Sequence, residues 1–259
     1  MKVGFTPAKA LEIASKIQVD ASRGIGHAAG AEMKSEKAHL RTRIGPEGMN
    51  YKGYNIATHE FGHNVEQTIS LQDIDYYILN GVPNTAFTEA LAFMFQKRDL
   101  ELLGMKSDDP DKENLLALDN AWAAYEIMGV SLVDMYTWRW MYEHPDATPV
   151  QLKEAVTTIA QDIWDQYYAD VFGVKDEPIL AIYSHMIYRT IYLPAYPVGH
   201  LIDFQLEQHM KGKNFADEVQ RIYTLGSIVP QEWMRQAVGS EISGRATLDA
   251  AAEAVASLQ

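Results

Sequence analysis

The chain has 259 residues, with 22 Lys and Arg against 35 Asp and Glu, a formal charge of −13. Hydrophobic residues make up 47%, which supports a packed core and excludes a disordered chain, and the acidic balance argues against a nucleic-acid partner. The absence of Cys excludes disulfides, thiol nucleophiles and Cys-ligated metal centres, and no run reaches the roughly 18 apolar residues of a membrane span.

Residues 1–7 lack the apolar run of a signal peptide, which leaves the compartment open and favours the cytoplasm. Ala8 to Val19 reads as an amphipathic helix entered at Pro7. Gly24 to Gly30 reads as a loop. Ala38 to Ile44 alternates Leu40, Thr42 and Ile44 against His39, Arg41 and Arg43, the period of a half-exposed strand. A turn at Gly45 to Gly48 leads to a helix over Tyr54 to Ser70, and a turn at Gly81 to Asn84 leads to another over Thr85 to Leu103. After a loop at Asp108 to Asp111, helices are expected over Leu115 to Met128 and Ser131 to Tyr142, with Gly129 as the break. Gln151 to Val171 follows, then a long helical stretch from Leu180 to Met210 interrupted by Pro194 and Pro197. Shorter helices close the chain near Phe215 to Leu225, Pro230 to Ala237 and Thr247 to Ser257. The fold class is mainly α with a small antiparallel sheet near the N-terminal third, in one domain over residues 1–259.

His59-Glu60-Phe61-Gly62-His63 is an HExxH motif on a segment read as helix. Positions i and i+4 share a helical face, so His59 and His63 can present their imidazoles to one ion. Glu60 stands about 100° around the helix from His59, beside the ion, where a general base must stand. A catalytic zinc needs a third protein ligand, and without Cys that ligand is His, Asp or Glu. The run Thr85 to Phe95 is strongly apolar except for Glu89. An ionised carboxylate buried there costs several kcal/mol unless it is paired or binds metal, which makes Glu89 the candidate. Tyr183 to His200 gathers His185, Tyr188, Tyr192 and Tyr196, the tyrosines spaced by four. Two readings stay open for it: a core stripe with hydroxyls at its rim, or donors aimed at an oxyanion.

His59, Glu60, His63 and Glu89 resemble the zinc site of the gluzincin metallopeptidases. The spacing from His63 to Glu89 is similar to that of the Taq-type carboxypeptidase and thimet-type oligopeptidase families. Tyr192 to Gly199 (YLPAYPVG) resembles the Tyr-Phe-Pro-Thr-Tyr-x-Leu-Gly segment of the former, and His185 stands where these families and the angiotensin-converting enzyme family place a His. Gly239 to Leu248 looks like the C-terminal stretch of the same superfamily. The resemblance implies a zincin-like catalytic domain that hydrolyses peptides with one zinc per chain. It further implies Tyr196 as oxyanion donor, Tyr192 lining a subsite beyond the cleaved bond, and His185 holding the substrate backbone or assisting at the oxyanion. Those families carry an N-terminal helical half that walls a deep channel, whereas only residues 1–58 precede His59. The chain therefore reads as the catalytic part of a longer protein or as a compact relative with an open cleft.

The alternative function is a metal-binding scaffold that keeps the fold without activity. Glu60 discriminates, because a dead relative often loses the general base while base and ligands are all present here. On the peptidase reading, Ala38 to Ile44 is expected as an edge strand that pairs with the substrate backbone. Cleavage specificity and oligomeric state have no signal in the sequence.

Overall fold

A computed structural model of the chain describes residues 2–24, 26–105, 109–183 and 185–258. Ile25, Asp108 and Ser184, which fall in segments read above, lie outside the described residues. Helix α1 (Pro7–Ser15) starts with Pro at its first turn and with Thr6 Oγ1 accepting from the Lys9 N–H. It stops before Val19, because Ile17 and Val19 belong to strand β1 (Ile17–Ala21). Strands β2 (His27–Ala29) and β3 (Ala38–Thr42) complete a sheet of order β1-β3-β2. The predicted loop at Gly24 to Gly30 thus contains a strand.

The sheet is mixed, not antiparallel as expected. Strand β2 returns one strand-width away from β1, and β3 fills the gap, so β3 runs parallel to β1 and antiparallel to β2. The expectation of an edge strand at Ala38 to Ile44 is corrected by the same fact: β3 is central, and β1 and β2 are the two edges. The buried face of β3, Ala38, Leu40 and Thr42, packs on the next helix.

That helix, α2 (Tyr51–Asp73), is capped by the Asn50 side chain, which accepts from the Gly53 N–H at 2.9 Å. Helix α3 (Thr85–Gln96) is capped by Asn84 and ends well before the expected Leu103. The chain bends at Lys97 and Arg98, and α4 (Asp99–Leu103) starts in a new direction. Lys97 and Arg98, between the two helices, pair with Asp203 and Glu207. Helix α5 (Lys112–Glu143) runs straight through Gly129. The glycine is there for approach: a Cβ would stand 2.5 Å from the Tyr168 ring, whose hydroxyl accepts the Gly129 N–H at 2.7 Å.

Helix α6 (Pro149–Tyr167) opens with a capping box between Thr148 and Gln151, and α7 (Ala169–Phe172) is one turn. The long helix expected from Leu180 is replaced by a 3-10 turn at Ile179–Ala181 and irregular chain up to α8 (Ala195–Met210). Ile187 and Ile191 have φ of 78° and 48°, which no right-handed helix contains. Tyr188, Tyr192 and Tyr196 therefore share no helical face. Helices α9 (Phe215–Tyr223), α10 (Pro230–Val238) and α11 (Arg245–Leu258) finish the chain. Among the described residues, no helix is long and apolar enough to cross a membrane.

Helix α3 is the buried centre: Ala90, Leu91, Ala92 and Met94 are fully covered, between α2 on one side and α8 on the other. Two glycines permit the close approach. A Cβ on Gly62 of α2 would meet Ala92 Cα at 2.9 Å and Ala92 O at 3.1 Å, and one on Gly199 of α8 would meet Glu89 Cβ at 3.2 Å. We expect Gly62→Ala to lose about 1–2 kcal/mol net, since overpacking against backbone exceeds the roughly 1 kcal/mol gained in helix propensity. Urea unfolding would measure it, with Gly24→Ala, which meets nothing within 4 Å, as the control. An unchanged midpoint for Gly62→Ala would mean that α2 and α3 can separate freely.

Candidate metal centre

The spacing of four on α2 sets the His59 and His63 rings side by side, centroids 4.8 Å apart at 89°. The contact at Gly62 brings α3 against this face and aims Glu89 between the imidazoles. Glu89 Oε2 lies 3.3 Å from His59 Nε2 and 3.7 Å from His63 Nε2. One ligand atom from each residue falls within 4.8 Å of the others, and no further such group exists among the described residues. Glu89 is 4% exposed, and its Oε2 is buried without a hydrogen-bond partner.

This donor set fits a cation. When both imidazoles are neutral with the proton on Nδ1, three lone-pair atoms converge on one buried point, an arrangement that is repulsive unless something positive accepts all three. Two His nitrogens and one carboxylate oxygen are a zinc ligand set that leaves a fourth position open. Burial pushes the His63 imidazole down to about 4, against the pull of Glu89, so His63 is neutral and available as a ligand at neutral pH.

Glu60 points from α2 toward the edge strand. Burial raises its carboxyl above the usual range and the Glu89 charge adds to this, while His59, His27 and a hydrogen bond from the Ala28 backbone pull it down. Gly26, just before β2, stands so close that a Cβ there would touch Glu60 Cγ at 3.4 Å. An open cleft of about 910 Å³ begins at Gly26 and Ile56 and runs past Thr42, Arg43, Asn50 and Lys52.

The tyrosine segment closes the site from the opposite side. Tyr192 Oη donates to Glu89 Oε1 at 3.3 Å, and its ring meets those of Tyr196 at 5.7 Å and His185 at 5.3 Å. His185 Nδ1 also lies 3.3 Å from Tyr188 Oη. Burial, then the charge of Glu89 and the presence of Tyr192 and Glu60, push the Tyr196 hydroxyl far above its ordinary value, so it keeps its proton and remains a donor. The segment is irregular but pinned: the Leu193 N–H donates to Asp134 Oδ2 at 3.1 Å, and Ser131 Oγ donates to the Leu193 carbonyl at 3.0 Å. Both pins come from α5.

The structure thus brings His59, His63 and Glu89 together with Glu60 beside them on the same helix, joins Tyr192 to Glu89, and sets His185 and Tyr196 against the Tyr192 ring. It also supplies an outer ring that sequence reasoning missed. His59 Nδ1 meets Gln96 Oε1 at 3.0 Å, and His63 Nδ1 meets Thr88 Oγ1 at 3.1 Å. Phe93 packs on His59, and His200 stacks on Phe93 with centroids 4.1 Å apart. Helical arithmetic carried a signal for part of this ring: Gln96 is two turns past Glu89 on the same helix.

In sequence alone, no protein-family model matches the chain, and no curated protein does. Solved structures do match. An X-ray structure bearing the name oligoendopeptidase F superposes with TM-score 0.66 at 18% identity, over 96% of this chain and 44% of its own. PZ peptidase A gives 0.63 at 15%, over 96% and 44%, and metallocarboxypeptidase 1 of Trypanosoma cruzi gives 0.57 at 12%, over 93% and 56%. The chain spans about half the length of these structures. At such identities the likeness is one of fold: the chain shares the mainly α architecture, with its small sheet, of these peptidase structures.

Proposed function

We propose that the chain is a zinc-dependent peptidase. One observation carries the reading: two imidazoles and a buried carboxylate oxygen converge on a point, with a second carboxylate, Glu60, one residue along the same helix and beside a free strand edge. His59, His63 and Glu89 would hold the ion, which when bound supplies Lewis acidity and lowers the pKa of water. Glu60 accepts the proton of the attacking water and returns it to the leaving amine. Its desolvated surroundings favour this, since they raise its basicity over that of a surface carboxylate. Tyr196 donates to the carbonyl oxygen as negative charge develops there. His185, whose ring meets that of Tyr192, positions the substrate backbone. An extended peptide adds to the edge of β2, the strand beside Glu60, and continues along the cleft past Ile56.

The alternative is a metal-binding scaffold that keeps the fold without activity. The retained and hydrogen-bonded Glu60 weighs against it. The test is removal of metal with a chelator followed by zinc, with a mixed peptide library as substrate. We expect hydrolysis to vanish and return, and the cleavage positions to separate endopeptidase from carboxypeptidase action. Stoichiometric zinc without any hydrolysis would establish the scaffold instead.

A further inference from the structure

Two hydrogen-bond chains lead outward from the histidines, and each ends on a buried carboxylate. Asp99, on α4, accepts from Tyr51 Oη at 2.7 Å and from Asn55 Nδ2 at 2.8 Å, both on Oδ2, and from the Leu100 N–H on Oδ1 at 2.6 Å. With its amide nitrogen committed to Asp99, Asn55 turns Oδ1 toward α3 and accepts from Gln96 Nε2 at 2.6 Å. Gln96 therefore turns its own oxygen to His59 Nδ1. A carbonyl oxygen only accepts, so the proton sits on His59 Nδ1. The second chain is shorter. Thr88 has one hydroxyl hydrogen and gives it to Glu66 Oε2 at 2.8 Å, which leaves Thr88 Oγ1 as an acceptor for His63 Nδ1.

The consequence appears on the other side of each ring. Both Nε2 atoms are left without a proton, and these are the atoms that face Glu89 Oε2. A neutral imidazole with Nε2–H cannot bind an ion there, so a histidine that samples both tautomers loses affinity. Glu66 is 2% exposed, and among the described residues Thr88 is its one hydrogen-bond donor. A carboxyl group so buried is a costly way to fill a core position; desolvation drives its pKa up to about 7, so at pH 8 it is mostly ionised and accepts from Thr88. It is accounted for if it directs Thr88.

We infer that Glu66 with Thr88, and Asp99 with Asn55 and Gln96, are positioning residues that lock His63 and His59 in the Nδ1–H tautomer. Metal affinity is then governed from two carboxylates that never touch the ion. The inference rests on the zinc reading for the identity of the ion, while the tautomers belong to the metal-free chain.

The test is long-range proton–nitrogen correlation NMR on the ¹⁵N-labelled, metal-free chain at pH 8, which reads the tautomer of each ring. Zinc affinity is measured in parallel by competition with a fluorescent chelator. We expect Nδ1–H on both histidines. Thr88→Val should release His63 alone and Gln96→Leu should release His59 alone, each weakening zinc about 10–100-fold. Thr88→Ser, which restores the hydroxyl, should recover both readouts. Nε2–H on either histidine of the unaltered chain would overturn the inference, with no variant needed. So would a loss of affinity in Thr88→Val with the His63 tautomer unchanged, which would make the role one of packing. If both tautomers are as expected and zinc binds but no peptide is cut, the inference stands and the peptidase reading falls.

Discussion

Glu60→Gln is expected to keep the fold and the zinc while hydrolysis falls by about 10²–10⁴, the span that positioned acid–base groups contribute. The amide has the shape of the carboxyl group and can still accept from the Ala28 backbone, so the strand edge beside it stays in place. What it cannot do is take a proton from water. Because Glu60 is not among the convergent ligand atoms, zinc content should be unchanged, and KM should move little. Turnover on the best library peptide, with zinc measured on the same sample, decides the matter. Near-normal turnover with full zinc would remove Glu60 from the mechanism.

Tyr196→Phe is expected to lower kcat by about 10²–10³ with KM and zinc content little changed. Tyr196 is half-buried, and desolvation with the charges of Glu89 and Glu60 keeps its hydroxyl protonated, so it offers a donor to charge that exists only in the transition state. Tyr192→Phe is the informative comparison. Its hydroxyl donates to Glu89 Oε1, so its loss should weaken zinc binding rather than slow turnover of the loaded enzyme. A kcat defect in Tyr192→Phe and a zinc defect in Tyr196→Phe would mean that the two roles are exchanged.

Tyr192 also shows where reading the sequence falls short. Its resemblance to a known segment suggested a subsite wall, and its spacing from Tyr196 suggested a shared helical face. Neither describes a hydroxyl bonded to a candidate metal ligand from an irregular segment. That placement depends on Asp134 and Ser131, about 60 positions earlier on α5, which grip the backbone of Leu193. The same holds for Gly129, which looks like a helix stop and is instead a seat for the Tyr168 ring.

The convergence of His59 and His63 was legible in residues 59–63 because it is a property of one helix: 3.6 residues per turn puts positions four apart on one face whatever surrounds them. Glu89 was legible for an energetic reason, since a lone acid in an apolar run must find a partner wherever the run is buried. The caps at Thr6, Asn50 and Thr148 are short-range as well, a side chain reaching a backbone N–H three residues on, although the sequence reading placed those helix starts one to three residues late. The order of the sheet, the relays to Glu66 and Asp99 and the pinned tyrosine segment had no such local cause. A strand three residues long, β2, has too little pattern of its own and exists because β3 offers it a row of hydrogen-bond partners. Each relay links residues brought together only when α2 packs on α3 and α4, and no periodicity records which amide will face which carboxylate. Local geometry chose the ligands, and packing chose how they are held.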